Sequence, residues 1–216
     1  MSKFILPGTT LSANNVFCIG RNYADHAKEL NNPVPSAPIV FLKPNSSLCT
    51  QDTPIVLPSV SSDVHHEVEL VLAIGKTGKN IKEEDAQDFI HSVGLGIDFT
   101  ARDIQQKAKE KGHPWSVAKG FDTFAPVSNF IPSQEIDFSN SDIQLSVNGS
   151  TRQSGNTSDM LFSIPKLIAY LSTIFTLNEG DLIFTGTPAG VAAIKSGDVL
   201  KASLNDSQIT LDVQVS

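Results

Sequence analysis

The sequence predicts a mixed α+β fold dominated by strands, and three observations carry that expectation. Short stretches rich in β-branched and aromatic residues recur along the chain. Helical patterns are few, and the two do not alternate as they would in a doubly wound parallel sheet. Strands are expected at 16–20, 39–43, 55–57, 68–74, 92–99, 143–147 and 182–184, with two more at 200–204 and 209–215. Asn148-Gly149, between alternating residues, offers the two positive-φ positions of a tight hairpin, and Asn205-Asp206 suggests a second. A helix is expected at 164–174, with Ser163 as N-cap and Pro165 in the first turn, where a missing N–H has no energetic cost. Two further helices are expected at 101–111 and at 23–30, the latter with Asn22 placed to cap it. The Ser- and Asn-containing stretch 128–142 reads as a long surface loop.

A chain of 216 residues with 40% hydrophobic and 18% charged side chains is long enough for one ordinary core, so a single domain over 1–216 is expected. Its 16 basic and 23 acidic residues give a net charge of −7, without any basic run. That balance argues against a nucleic-acid partner, whose binding is driven by clustered Lys and Arg. Cys18 and Cys49 each lie in an apolar stretch and read as buried free thiols in a reducing compartment. The segment MSKFILPGTT reaches Pro7 and Gly8 after few apolar residues, and no run approaches the ~20 needed to span a bilayer. A cytoplasmic protein with no membrane partner is expected.

The segment HHEVELVLAIG, residues 65–75, is the most informative in the chain. Strand side chains alternate, so Glu67 and Glu69 point to one face while Val68, Leu70 and Leu72 take the other. The glutamate face continues into Val71 and Ala73, which predicts that it becomes buried. Two buried carboxylates on one face repel, and a cation would relieve them. A third acid comes from SVGLGIDF, where Asp98 shares a face with Ser92, Gly94 and Gly96, and the glycines are expected to leave open space beside it. Three carboxylates with room for water suit a hard ion such as Mg²⁺ or Mn²⁺, rather than zinc, which prefers His and Cys. His65 and His66 are adjacent on a strand and face opposite sides, so at most one could stand near such an ion.

These residues resemble the fumarylacetoacetate hydrolase superfamily, in particular its short members described as acylpyruvases, oxaloacetate decarboxylases or tautomerases, and hydroxy-dienoate isomerases. The resemblance is carried in register by IGRNYADHAKEL, FLKPNSSL, HHEVELVLAIG, GIDFTARDIQ, PWSVAKGFDTFAPV, RQSGNTSDMLF and GDLIFTGTPAGV. It implies a rolled mixed β-sandwich with a few peripheral helices, often found as a homodimer. It repeats Glu67, Glu69 and Asp98 as the metal ligands. It further implies His26 as the base that activates water, with Glu29 orienting it, and Lys119 as an active-site cation. Substrate contacts are implied for Gln105, for Arg102, which could instead pair with Asp98 or Asp103, and secondarily for Arg21. In FTGTPAGV, the Thr187 hydroxyl and backbone N–H groups about Gly186 are implied to hold the substrate carboxylate. Many relatives continue with glycine after Val191, where this chain has Ala192.

The expectation drawn from this resemblance is a Mg²⁺- or Mn²⁺-dependent enzyme acting on a small anionic 2-oxo acid through an enolate held at the metal. Hydrolysis of an acylpyruvate, decarboxylation of oxaloacetate, and tautomerisation all share that enolate. Two other readings stand beside it. One is a 2-hydroxyhepta-2,4-diene-1,7-dioate-type isomerase of aromatic catabolism. The other is a non-catalytic calcium-binding β-module, which gives no purpose to His26, Glu29 or Lys119.

Overall fold

The computed structural model describes residues 3–29 and 33–216. Among these, the strands in chain order are β1 (Val16–Gly20), β2 (Ile39–Lys43), β3 (Leu48–Thr50), β4 (Val64–His66), β5 (Val68–Ile74), β6 (Ile90–Ile97), β7 (Thr100–Ala101) and β8 (Ala125–Val127). They continue with β9 (Ile131–Pro132), β10 (Asp142–Val147), β11 (Ser150–Asn156), β12 (Leu182–Phe184), β13 (Ala192–Ala193), β14 (Val199–Leu204) and β15 (Ile209–Gln214). The α-helices are α1 (Ala24–Glu29), α2 (Arg102–Lys111), α3 (Ser116–Lys119) and α4 (Ile164–Ile174). Strands dominate, as the sequence predicts. None of the described helices is long and apolar enough to cross a membrane.

The main sheet is mixed, ordered β2-β1-β12-β5-β6-β8-β3, with β9 also pairing to β6. The pairs β1–β12 and β3–β8 are parallel, and the rest antiparallel. A four-stranded antiparallel sheet, β11-β10-β14-β15, covers one face of it. Every residue of β5 is buried, so both faces of that strand find apolar partners. Val68, Leu70, Leu72 and Ile74 join Ile143, Leu145, Leu200, Leu211 and the apolar side of α4 in the larger core. Val71 and Ala73, on the glutamate face, join Cys18, Val127, Phe130 and Phe184 in a second, smaller core. The alternation read from the sequence thus sorts β5 correctly onto two hydrophobic layers.

In a three-stranded sheet, β13-β4-β7, two strands are the continuations of β5 and β6, and β13 pairs with β4. Between β4 and β5 the ladder breaks at one residue, Glu67, and between β6 and β7 it breaks at Asp98 and Phe99. The breaks face each other, for the Asp98 N–H donates to the Glu67 carbonyl at 2.8 Å. Two acids therefore stand at the seam where a strand pair leaves one sheet for another.

Several local expectations are corrected. Residues 55–57 form no strand, and Ile55 makes only an isolated bridge to Val215. The 128–142 stretch is not a plain surface loop, because it contains β9 and a 3₁₀ turn, and Ser128, Ser133 and Ser141 are buried as hydrogen-bonding struts. Ser163 stands at the N-cap of α4, but its side chain makes no capping bond. Asn22 serves the tertiary structure instead of α1. It donates to the carbonyls of Phe162 (3.0 Å) and Thr185 (2.8 Å) and accepts from the Phe162 N–H (2.8 Å). The expected extension of α1 to Leu30 lies outside the described residues. Asn148 and Gly149, with φ of 51° and 78°, do form the β10–β11 turn.

The space expected beside Asp98 is also filled. A β-carbon on Gly96 would stand 2.5 Å from Phe184 Cε1 and 2.7 Å from Val71 Cγ2, because the second core packs directly on the glycine backbone. Gly96→Ala is therefore expected to destabilise the protein by about 1–3 kcal/mol through overpacking. Urea unfolding should show this as a lowered midpoint at unchanged slope. A midpoint equal to that of the wild type would show that Phe184 can move aside.

Candidate active site

The seam acids meet a third, Glu69, from the start of β5, and one carboxylate oxygen from each of Glu67, Glu69 and Asp98 lies within 4.8 Å of the others. All three are buried. Charge this dense in a low-dielectric setting must be compensated, since an ion leaving water pays several kcal/mol. Lys119, at the end of α3 and 2% exposed, is one compensating group. Its Nζ lies 2.8 Å from Glu67 Oε2 and 2.5 Å from Asp98 Oδ2. Arg102 is another, 2.5 Å from Glu67 Oε1, with its second arm on Gln105 Oε1 at 2.8 Å. The pairing of Arg102 with Asp98 or Asp103 weighed from the sequence does not occur. Asp103 instead binds Ser61 and the backbone of Ser62.

A third cation was not singled out from the sequence. Lys43, at the end of β2 and 3% exposed, places Nζ 2.7 Å from Asp98 Oδ1. Its hydrogen bonds go to the carbonyls of Phe99, Lys119 and Phe124. An ammonium has three donors, so all are committed to backbone, and its attraction to Asp98 is Coulombic without an aligned hydrogen bond. Asp98 Oδ1 accordingly remains a buried acceptor with no hydrogen bond. The signal for Lys43 was weak: alternation puts it on the face of Phe41, but a lysine at a strand end ordinarily snorkels to water.

The electrostatics divide the acids. Burial pushes the Glu67 carboxyl up, but the Lys119 and Arg102 charges outweigh it and hold Glu67 well below the usual range. Burial raises Glu69 as well, and Asp98 and Glu67 raise it further, so it stands well above that range. One backbone donor supports it, the Gly186 N–H at 2.6 Å. Gly186 has φ 102°, and a β-carbon there would stand 2.6 Å from Asn22 Cβ, so only glycine fits. A donor set made wholly of carboxylate oxygens, with one unused acceptor on Asp98 and one under-compensated acid in Glu69, fits a hard divalent cation. Among the described residues, no other group of three or more such side chains is arranged to hold one, and neither His65 nor His66 belongs to this one. His65 pairs with Asp63, and His66 with Gln153.

The triad opens onto a cleft walled by Ile19, Phe41 and Trp115 on its apolar side. Glu67, Glu69, Lys119, Arg102, Gln105, His26, Arg21 and Thr187 supply its polar side, whereas Asp98, Glu29 and Gly186 do not reach its surface. Gln105 is buried at 3% exposure. His26 and Glu29 share one side of α1, with Nδ1 3.4 Å from Oε2. Burial, with help from the Arg102 charge, depresses His26 below its usual value despite Glu67 and Glu29. It is thus a neutral imidazole near pH 7. Burial lowers Lys119, but Asp98 and Glu67 more than restore it, so it stays charged.

The loop after β12 is tied to the acids by its own hydrogen bonds. The Gly186 N–H faces Glu69 instead of the cleft, and the Thr187 hydroxyl donates to the Val68 carbonyl at 2.7 Å. Gln153, fully buried and not identified from sequence, donates to Thr187 Oγ1 and to the Pro188 carbonyl, while its Oε1 accepts from the Val68 N–H. Glu29 receives the Gly190 N–H at 3.0 and 3.1 Å, tying α1 to the far end of the same loop. Buried donors must be satisfied, and here they lock the loop onto the acids.

Comparison with known proteins places this geometry. Residues 15–215 match the family described as fumarylacetoacetate (FAA) hydrolase C-terminal. A Dictyostelium discoideum protein named as a mitochondrial oxaloacetate decarboxylase is 48% identical over 217 residues, covering 99% of this chain and 97% of its own. An Arabidopsis thaliana mitochondrial oxaloacetate tautomerase is 46% identical, covering 92% and 90%. Among solved structures, fumarylpyruvate hydrolase from Pseudomonas aeruginosa, in complex with Mn²⁺ and pyruvate, superposes with a TM-score of 0.94 at 34% identity, covering 100% and 96%. A 5-carboxymethyl-2-hydroxymuconate delta-isomerase from Mycobacterium smegmatis gives 0.84 at 38% identity, covering 95% and 80%.

The raised Glu69 carboxyl has a measurable consequence. Its folded pKa lies above its unfolded value, near 4.3 for an ordinary glutamate, so the native state binds the extra proton. The metal-free protein should lose stability as pH rises through that window. Glu67 acts oppositely: its contribution is full above the usual carboxylate range and is lost as pH falls below it. The two windows do not overlap. Calorimetric melting above about pH 4.3 should therefore show a falling Tm that flattens in Glu69→Gln and under saturating Mg²⁺. An identical slope in wild type and Glu69→Gln would remove Glu69 as its source.

Proposed function

The chain belongs to the fumarylacetoacetate hydrolase family, and on that footing we propose that it is a divalent-metal-dependent enzyme acting on a small anionic 2-oxo acid through an enolate. The reaction is hydrolysis of an acylpyruvate or decarboxylation and tautomerisation of oxaloacetate. The observation that carries this reading is one cleft lined by Glu67, Glu69, a charged Lys119 and a neutral His26, with Asp98 completing the acid cluster behind it. The oxaloacetate-processing names of the relatives, and the Mn²⁺ and pyruvate in the Pseudomonas aeruginosa complex, support it.

An ion such as Mg²⁺ or Mn²⁺ held by Glu67, Glu69 and Asp98 would supply Lewis-acid polarisation of the 2-oxo group. The side chains of the chain do the rest. Lys119 is a fixed positive charge in a water-poor site, suited to stabilise negative charge as it develops on the substrate. Neutral His26 can accept a proton from water, and Glu29, anchored by the Gly190 N–H, holds the imidazole and stabilises its protonated form. In acylpyruvate hydrolysis that water adds to the C4 carbonyl, the C3–C4 bond breaks, and its electron pair is left on C3 as pyruvate enolate. Decarboxylation of oxaloacetate breaks the same bond with loss of CO₂ and gives the same enolate. Tautomerisation only moves a proton between C3 and the C2 oxygen. Arg102, fixed between Glu67 and Gln105, keeps Gln105 on the cleft wall.

A non-catalytic calcium module would have no use for a depressed imidazole and a buried lysine in the same cleft. The isomerase reading is supported by the Mycobacterium smegmatis neighbour and is separated by product analysis, since isomerisation conserves mass. Homodimer formation is retained as part of the proposal, with light scattering as its test. The relatives' mitochondrial names set that location against the cytoplasmic one expected from sequence, and fractionation decides between them.

A panel of acylpyruvates, oxaloacetate and hydroxy-dienoates with Mg²⁺ tests the reaction class. His26→Ala is expected to slow acylpyruvate hydrolysis by ~10² to 10⁴, with a much smaller effect on decarboxylation, which needs no water attack. Equal losses in both would assign His26 to positioning. Lys119→Met should lower kcat/KM for every accepted substrate by about tenfold or more, that is, about 1.4 kcal/mol of transition-state stabilisation or more. A change within about threefold would remove Lys119 from the mechanism.

A further inference from the structure

β11 is an edge strand of the four-stranded sheet, and one of its residues, Gln153, is buried. Its inward direction comes from a bulge. In the β10–β11 ladder Leu145 stands opposite Gln153 and Ser146 opposite Thr151, so Arg152 is an extra residue with no opposite number in β10. Regular alternation from Thr151 would turn Gln153 to the same outer face. The extra residue turns it inward instead, beside the fully buried Leu145, for a bulge re-aims the side chains that follow it. The Arg152 carbonyl at the bulge lies against Gly190 and leaves no room there for a β-carbon.

Inside, Gln153 uses every hydrogen-bonding position that it has. A side-chain amide offers two acceptor sites and two N–H donors. Oε1 accepts from the Val68 N–H at 3.0 Å and from His66 Nδ1 at 2.9 Å. Nε2 donates to Thr187 Oγ1 at 2.7 Å and to the Pro188 carbonyl at 2.9 Å. A backbone donor at one end and a backbone carbonyl at the other fix which way round the amide lies. Because Oε1 only accepts, His66 must carry its proton on Nδ1.

These bonds fill a gap in the main sheet. β12 pairs with β5 from Ala73 to Val71 and then leaves it. Beyond that point side chains take the place of the strand. The Leu70 carbonyl accepts from the Thr185 hydroxyl at 2.9 Å, the Val68 carbonyl from the Thr187 hydroxyl at 2.7 Å, and the Val68 N–H goes to Gln153. Gln153 alone of these three comes from the other sheet. With Oε1 it holds His66 and Val68, the residues on either side of Glu67. With Nε2 it holds Thr187 and Pro188, the two residues after Gly186, whose N–H supports Glu69.

We infer that Gln153 is a positioning residue of the acid cluster, replacing the missing strand beside Val68 and so holding Glu67, Glu69 and the 186–190 loop in one arrangement toward a divalent cation. It does not line the cleft, and it acts through the residues that it holds. The inference rests on the divalent-metal reading of the acids.

The experiment titrates the full-length protein with Mn²⁺ by calorimetry, without substrate and well below the melting temperature. Gln153→Met keeps the length of the side chain and removes all four bonds. It is expected to weaken Mn²⁺ binding about tenfold or more, the usual effect of losing a group that orients a metal ligand. Ser172→Ala controls for stability alone. The Ser172 hydroxyl is buried on α4, in neither the cluster nor the cleft, and accepts from the Ile81 N–H at 2.8 Å. Its loss should lower Tm and leave Mn²⁺ affinity as in the wild type. Thr187→Val should weaken Mn²⁺ binding as Gln153→Met does, whereas Thr187→Ser, which keeps the hydroxyl bonded to Val68 and Gln153, should bind as the wild type does. A folded Gln153→Met with Mn²⁺ affinity within about threefold of the wild type overturns the inference. So does a Ser172→Ala that loses as much affinity. If Gln153→Met does not fold, the Thr187 pair decides, and equal affinity in both overturns the inference. A wild type with no Mn²⁺ affinity overturns the metal reading itself, whereas binding that is insensitive to these variants overturns only the role of Gln153.

Discussion

Burying three carboxylates at one point is the constraint on which the rest of this structure depends. Glu67, Glu69 and Asp98 are each almost wholly removed from water, and repulsion among them is relieved only by charge brought from elsewhere in the chain. Lys43 comes from β2, Arg102 from α2 and Lys119 from α3. The compensation is uneven. Glu67 takes two cations, Asp98 two, and Glu69 only the backbone N–H of Gly186. That imbalance lowers one carboxyl and raises another a few ångströms away, and it makes the cluster receptive to a further cation instead of an inert ionic core.

The backbone serves the same end. A strand pair that ran on uninterrupted would use its polar groups in the ladder and leave Glu67 and Asp98 in regular alternation. Here β5 and β6 break where they leave the main sheet, and the two acids stand at the break, joined by the Asp98 N–H to the Glu67 carbonyl. The second core, with Phe184 and Val71 pressed onto Gly96, backs the seam from one side. Asn22 and Gln153 brace the loop after β12 from the other. A site built between sheets can be rigid at its floor and open at its mouth.

Much of this was legible in the sequence because it is local. Two-residue alternation gives the two faces of β5 and the burial of the glutamate side. Turn chemistry gives the Asn148-Gly149 hairpin, and the apolar period with its early proline gives α4. The i, i+3 spacing of His26 and Glu29 gives their contact. What local pattern could not give is which distant groups compensate the acids. Lys119 and Glu67 are 52 residues apart, and Lys43 ends β2 whereas Asp98 stands in the break after β6. Periodicity is silent on such pairs.

The sequence by itself therefore determined the strand-rich architecture, the acids that share a face, the hard-ion character of their oxygen donors and the family whose motifs they fit. Only the tertiary structure decided that Arg102 serves Glu67, that Gly186 faces Glu69, that Asn22 braces two loops instead of capping a helix, and that the glycines beside Asp98 are packed instead of open. The reason is the range of the forces involved. Side-chain direction is set within two to four residues by backbone geometry, whereas the desolvation of a charge is settled by every element that packs against it, wherever in the chain that element arises.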